Sequence, residues 1–223
     1  ASSHSSGLRY RVERRLLNAA DYGVPQRRER VFIVGWRSDV DVGWHFPRPT
    51  HSREALVFDQ AVSGEYWERH GMSRAATDDA QVQLLPQTLP WVTVRDALAD
   101  LPRLGSREAE ELRHVVMPGA RPYPGHTGSP LDLPAKTLKA GDHGVPGGEN
   151  MLVLDDGTYR YMTVREAARL QTFPDEFTFS TSWTENMRQL GNAVPVELAE
   201  LLGSSIAAHL SEQGAVSVDS AAI

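Results

Sequence analysis

The sequence contains no cysteine, which removes disulfides, cysteine-ligated metal sites and thiolate nucleophiles together. It also lacks any apolar run of roughly eighteen residues, the length that would span a bilayer. Its first residues carry no basic and apolar secretory signature, so nothing marks the chain for a membrane or for export. Lysine is nearly missing: Lys136 and Lys139 stand alone beside the arginines. A GC-rich genome accounts for that bias more readily than a demand for bidentate phosphate contacts does. The eight histidines show no His-x-x-x-His or similar ligand spacing, so no metal is assigned.

What is present suffices for a folded protein. The 223 residues are 40% hydrophobic, enough for one large domain or one and a half ordinary ones. The net charge of -6 argues against a generally basic nucleic-acid binder, but the charge is uneven. Eight arginines against three acids give residues 1 to 37 a net of +5, leaving -11 for the rest. The opening ASSHSSG reads as a polar leader or a cloning remnant and is set aside.

Along the chain, YRVERRLL (10 to 17) has the pattern of a half-buried strand. VFIVG (31 to 35) is continuously apolar, the pattern of a strand covered on both faces. Between 38 and 158 lie eleven of the fourteen prolines and twelve of the eighteen glycines, which predicts a loop-rich module without long regular elements. One helix is expected inside it at TVRDALADLP (93 to 102), with Thr93 as N-cap and Pro102 as stop. Another is expected at TVREAARLQ (163 to 171), where Thr163 and Glu166 have capping-box spacing. QLGNAVP reads as a Gly-Asn turn entering a helix at Pro195, with Leu198, Leu202, Ile206 and Leu210 as its apolar stripe. The tail from 212 to 223 is expected to be disordered.

Three blocks stand in order: QRRER at 26 to 30, RYMTVREAARLQTFPDEF at 160 to 177, and RQLGNAVP at 188 to 195. Together they resemble the last three conserved blocks of the C5-cytosine DNA methyltransferases, over residues 9 to 210. LPAKTLKAGDHGVPGG (133 to 148) is similar to the end of that family's target-recognition domain, where a Thr-Leu pair sits by the DNA backbone. The resemblance implies roles residue by residue. Arg30 would grip an extruded cytosine and Arg28 would support the active site, while Arg27 occupies a variable position. Asn192, Ala193 and Val194 would line the S-adenosylmethionine pocket. Lys136, Thr137, Leu138 and Lys139 would lie along the DNA backbone. The 160 to 177 block organises the recognition domain in that family, so it reads first as scaffold, with phosphate contact by Arg165 as the secondary reading.

The chemistry of these roles is coherent. A cytosine ring cannot be methylated at C5 while stacked, so such enzymes flip the base out, at a cost of a few kcal/mol. A guanidinium is always charged and has fixed donor geometry, which suits it to holding the base in a dry pocket. Taken without the motif, Arg28 and Arg30 are better read as strand-end charges pairing with Glu13 or Glu29; within it, the base-holding reading is preferred. Gly191-Asn192 alone would be a simple turn whose glycine supplies backbone freedom, and the 160 to 177 block alone is scaffold.

The family's chemistry also needs a cysteine in a Pro-Cys dipeptide, a glycine-rich cofactor loop and a Glu-Asn-Val block, and none of these is in the sequence. The expectation is therefore an α/β protein, an incomplete Rossmann-like methyltransferase domain plus a smaller irregular recognition domain. Residues 1 to 37 and 179 to 211 would form the first and 38 to 178 the second. Double-stranded DNA and a second polypeptide or segment carrying the missing motifs would be its partners, in the cytoplasm at the prokaryotic nucleoid. Cofactor would be shared with that other half. The strand at 31 to 34 and the helix from 195 would pack against it. A noncatalytic DNA-binding module derived from such an enzyme, and an RNA-directed relative, remain as alternatives. Base-reading residues are expected in the loops after Gly125 or Gly141, without being named.

Overall fold

The computed structural model describes residues 9–38, 43–73, 85–140 and 150–219. The leader, and the loop from Gly141 to 149 where base readers were expected, lie outside the described residues.

The chain opens with strand β1 (Tyr10–Asn18) and β2 (Glu29–Arg37), an antiparallel pair with Leu16 opposite Val31 and Arg14 opposite Ile33. A 3-10 turn, Ala19–Tyr22, joins them, closed by Gly23 in the left-handed conformation at φ 90°. Then follow β3 (His51–Ser52), α1 (Arg53–Val57), a π-helical turn (Phe58–Ser63) and α2 (Glu65–Arg69). Next come β4 (Leu89–Pro90), α3 (Val94–Leu98), α4 (Arg107–Glu111) and β5 (Ser129–Pro130). After β6 (Met151–Val153) and β7 (Tyr159–Tyr161), three helices finish the chain: α5 (Val164–Arg169), α6 (Trp183–Asn192) and α7 (Val196–Asp219). The structure is α/β with small sheets: β1 with β2, β3 with β4, and β5-β6-β7, the last mixing a parallel and an antiparallel pairing.

Two cores hold these pieces. One gathers Val94, Leu138, Leu152, Met162, Val164, Leu170, Met187 and Leu190. The last two belong to α6, whose Trp183, Met187 and Leu190 recur at helical spacing. So α6, placed by the sequence with the returning catalytic piece at 179 to 211, shares its core with the irregular module. The other core packs Leu17, Trp36, Trp44 and Phe46 against Leu198 and Leu202 of α7. Trp44 also donates from Nε1 to Ser205 at 3.0 Å, which ties α7 to the segment that follows β2.

That second core corrects one expectation. The apolar stripe of α7 meets the chain's own hairpin, because Phe32, Val34 and Trp36 point to one face of β2 and complete it. The opposite hairpin face is open. Val31 and Ile33 are 62% and 68% exposed, beside exposed Tyr10, Val12 and Leu16, so β2 is covered on one face where its apolar run predicted two. The last helix also continues to Asp219, into the segment read as tail, with no proline after Pro195 to stop it.

Candidate nucleic-acid cleft and cofactor edge

The polar blocks do their first work at helix C-termini. The last carbonyls of a helix lack partners within it, and a cation or amide placed there satisfies them. Gln26, fully buried, donates from Nε2 to the Leu170 carbonyl at the end of α5 (3.1 Å) and accepts from the Leu138 N–H (3.3 Å). Gln171 donates from Nε2 to the Leu190 carbonyl near the end of α6 at 2.7 Å. Arg28 donates from Nη2 to Gly191 at 2.8 Å and from Nη1 to Leu138 at 3.2 Å. Three blocks distant in sequence are thereby laced at one place.

Arg28 is 3% exposed, and burial, with the charge of Arg30 second, pulls its guanidinium down to about 10. Its Nε is buried without a partner. Gly191 faces the same seam. A Cβ there would lie 2.4 Å from the Ala140 nitrogen and 2.5 Å from the Lys139 carbonyl carbon, so glycine is required for close approach of two backbones. The Gly-Asn pair is the last turn of α6 rather than a free turn. The first amides of α7 are likewise engaged: Val196 N–H donates to the Gln171 carbonyl at 3.1 Å and Glu197 N–H to Thr172 Oγ1 at 2.9 Å. These two amides are therefore not free to hold a ligand.

Around this seam lie two clefts, and Arg30 borders both. The larger, about 550 Å³, is lined by Arg27, Arg30, Lys136, Thr137, Trp91, Asn18 and Glu29. Thr137 Oγ1 donates to the Arg27 carbonyl at 2.7 Å, which ties the module to the strand end, and Lys136 Nζ donates to Thr127 at 2.5 Å within the module. The smaller, about 270 Å³, is walled by Val31, Phe32, Pro195 and Leu198 with Arg28, Arg30, Asn192, Ala193 and Val194. Arg30 itself is exposed, its one local bond a 2.7 Å donation to the neighbouring Glu29 carbonyl.

The sequence-expected residues therefore divide. Arg30, Lys136 and Thr137 meet in the basic cleft, and Asn192, Ala193 and Val194 share the apolar one with Arg28 and Arg30. Lys139 is exposed but lines neither cleft; Asn150 brackets its backbone from both sides. Two expectations are corrected. Leu138 is 1% exposed in the core with its N–H and carbonyl engaged, so it offers nothing to a DNA backbone. Arg165 is 2% exposed and spends its donors on the carbonyls of Leu112, Pro174 and Phe177, with its guanidinium over the Phe179 ring. It clamps the 174 to 179 turn and is out of reach of a phosphate. Gln26, Gln171 and Trp91 have no clear signal in the sequence: a glutamine bracketing an apolar run is a weak one, and nothing in the local pattern separates Trp91 from a core residue. Among the described residues no group of acids and histidines could hold a metal, and no helix is long and apolar enough to cross a membrane.

The chain is similar in sequence and in fold to known proteins. The type II methyltransferase M.BspRI of Lysinibacillus sphaericus is 32% identical over 209 residues, 89% of this chain and 43% of its own length. M.BsuRI of Bacillus subtilis is 34% identical over 211 residues, 89% of this chain and 42% of its own. The chain thus spans less than half the length of these relatives. In fold it is similar to a prophage-encoded E. coli protein named as a DNA modification methyltransferase, at a TM-score of 0.50 and 21% identity over 91% of this chain and 61% of that one. The model of the C-5 cytosine-specific DNA methylase family matches residues 3–208, and the chain belongs to that family.

Proposed function

We propose that this chain is the recognition-side part of a DNA (cytosine-5)-methyltransferase. It binds duplex DNA along the basic cleft and grips an extruded cytosine with Arg30, while another segment, in the same or a separate polypeptide, supplies the nucleophilic cysteine. The observation that carries this reading is the position of Arg30 on the rim of both clefts, between Lys136 and Thr137 on one side and Asn192 to Val194 on the other. A cytosine held there has its phosphates toward the cations and its ring toward the second cleft. The guanidinium has donors to spare, since among the described residues it makes a single side-chain donation, to the Glu29 carbonyl.

The second cleft fits one edge of S-adenosylmethionine. Phe32, Val31 and Leu198 give an apolar wall, and Asn192 an amide at its mouth. The volume of about 270 Å³ at an open rim accommodates part of such a molecule, so the missing segment would close the pocket. When bound, that cofactor supplies the methyl group. This chain's residues position and exclude water: Arg28 holds the rim that carries Asn192, and Phe32 and Leu198 keep it dry.

The apolar hairpin face formed by Tyr10, Val12, Leu16, Val31 and Ile33 is the surface on which the completing segment packs. Mixing the chain with a segment bearing the Pro-Cys and glycine-rich motifs, with tritiated cofactor, tests the reading. Methyl transfer to cytosine C5 is expected, and Arg30→Ala lowers turnover by about a hundredfold or more while duplex affinity changes only a few-fold. A correctly assembled pair that methylates no DNA sinks the proposal in favour of a noncatalytic DNA-binding module.

A further inference from the structure

The basic cleft has an aromatic wall that the reading above leaves without a task. Trp91 lines it with Arg27, Arg30, Lys136 and Thr137. Its indole N–H donates to Asp21 Oδ1 at 2.9 Å, and Asp21 accepts from Asn18 Nδ2 at 3.4 Å. Asn18 Oδ1 in turn accepts the backbone N–H of Arg28 at 3.1 Å. The backbone N–H of Trp91 is held by the Ser52 carbonyl at 3.1 Å. This relay fixes the ring relative to the strand end that carries Arg30. One side of the residue packs against the small cluster of Leu56, Tyr66 and Trp67, while the rest is partly exposed at the cleft.

The lining thus combines a fixed aromatic plate whose polar atom is already engaged with three cations against the single carboxylate of Glu29. A nucleotide unit has the complementary make-up, a flat ring beside an anionic phosphate, and aromatic plates beside basic grooves hold unstacked bases whatever their sequence. A small anion would use the cations and leave the plate idle; an apolar ligand would do the reverse.

We propose that Trp91 is a substrate-binding residue, its indole stacking on an unstacked nucleotide of the bound DNA strand beside the one held by Arg30. This rests on the recognition reading above. The test uses the 223-residue chain and duplex oligonucleotides, following intrinsic fluorescence and direct binding. Duplex is expected to quench indole emission, and Trp91→Phe to remove most of that quench while keeping affinity within about threefold, because phenylalanine still stacks. Trp91→Ala should weaken binding about tenfold with the salt slope unchanged, whereas Lys136→Ala lowers the slope by about one. A filler role for Trp91 gives no quench that depends on both DNA and residue 91. A quench untouched by Trp91→Phe, with Trp91→Ala binding as wild type, overturns the inference and leaves duplex recognition standing. A wild-type chain that binds no duplex at low salt overturns both.

Discussion

The Nη2 of Arg28 meets the carbonyl of Gly191 at 2.8 Å, joining two residues 163 positions apart at the seam between the hairpin and α6. Its Nη1 reaches Leu138 across 110 positions, so one guanidinium ties the irregular module to both flanking blocks. Arg28→Met keeps the length of the side chain and removes the donors, stranding two buried carbonyls at about 1–3 kcal/mol each, partly offset by relief from burying a charge. The expected loss is about 2–4 kcal/mol, a melting midpoint lower by roughly 5–15 °C. Arg28→Lys, a point donor, should recover only one of the bonds and part of that loss. Differential scanning calorimetry of the three proteins decides the matter; equal midpoints would mean the seam is held by packing alone.

Arg165 stands in contrast to Arg30, although both are arginines in blocks that resemble those of the same family. Its three donations to backbone carbonyls and its contact with Phe179 make it a scaffold residue. Arg165→Ala should destabilise the chain by about 3 kcal/mol or more and leave the salt dependence of duplex binding unaltered. Measuring that slope by fluorescence anisotropy checks the assignment, since loss of a phosphate contact would lower it by about one.

Local pattern reaches some of these features and not others. The Thr163–Glu166 capping box was legible because spacing alone determines it, and it forms with both bonds present. Strands β1 and β2 were legible from alternation and β-branching. Burial of an arginine was not, because its neighbours in space are carbonyls from Leu112 and Phe177 that no local pattern announces. Helix α6 was hidden by its own ending: Gly191-Asn192 looks like a turn, and only the backbone of Lys139 and Ala140, packed so close that a Cβ at 191 would fall 2.4 Å from the Ala140 nitrogen, explains why a helix would tolerate glycine there. The one-sided cover on β2 was equally invisible, since a continuous apolar run is the same whether its second partner is in this chain or elsewhere.

His114 makes stability depend on pH. Its ring, 5% exposed, pairs through Nδ1 with Thr163 Oγ1 at 2.8 Å, at the capping box that starts α5. Burial lowers its pKa; Glu166 acts the other way, and Arg160 and Arg169 add to the lowering. The unfolded histidine, titrating near 6.5, therefore takes up its proton before the folded one does. Stability is full above that value and falls as pH drops through it, levelling once the folded ring is also charged. Thermal midpoints at pH 7.5 and pH 5.5 should differ more for the wild type than for His114→Asn, which cannot titrate. A His114→Asn protein with the same pH dependence would assign the effect to other groups.

Ile33 tests whether the open hairpin face is an interface or merely tolerated exposure. It is 68% exposed and stands opposite Arg14 in the antiparallel register. Ile33→Glu removes little buried surface within this chain and places a carboxylate across from that guanidinium, a cross-strand pair that contributes roughly 0.2–1 kcal/mol. The isolated variant should thus unfold within about 0.5 kcal/mol of wild type. Against a completing segment the outcome reverses, because the same carboxylate would be buried beside Val31 and Leu16 without water, at a cost of several kcal/mol even with Arg14 near. Copurification of the segment with wild type, and its loss with Ile33→Glu at unchanged midpoint, would place the segment on this face. A variant that captures the segment as well as wild type does would leave the hairpin face facing solvent in the assembled enzyme, and the contact would then have to lie along the strand edges, where backbone pairing is indifferent to a side chain at position 33.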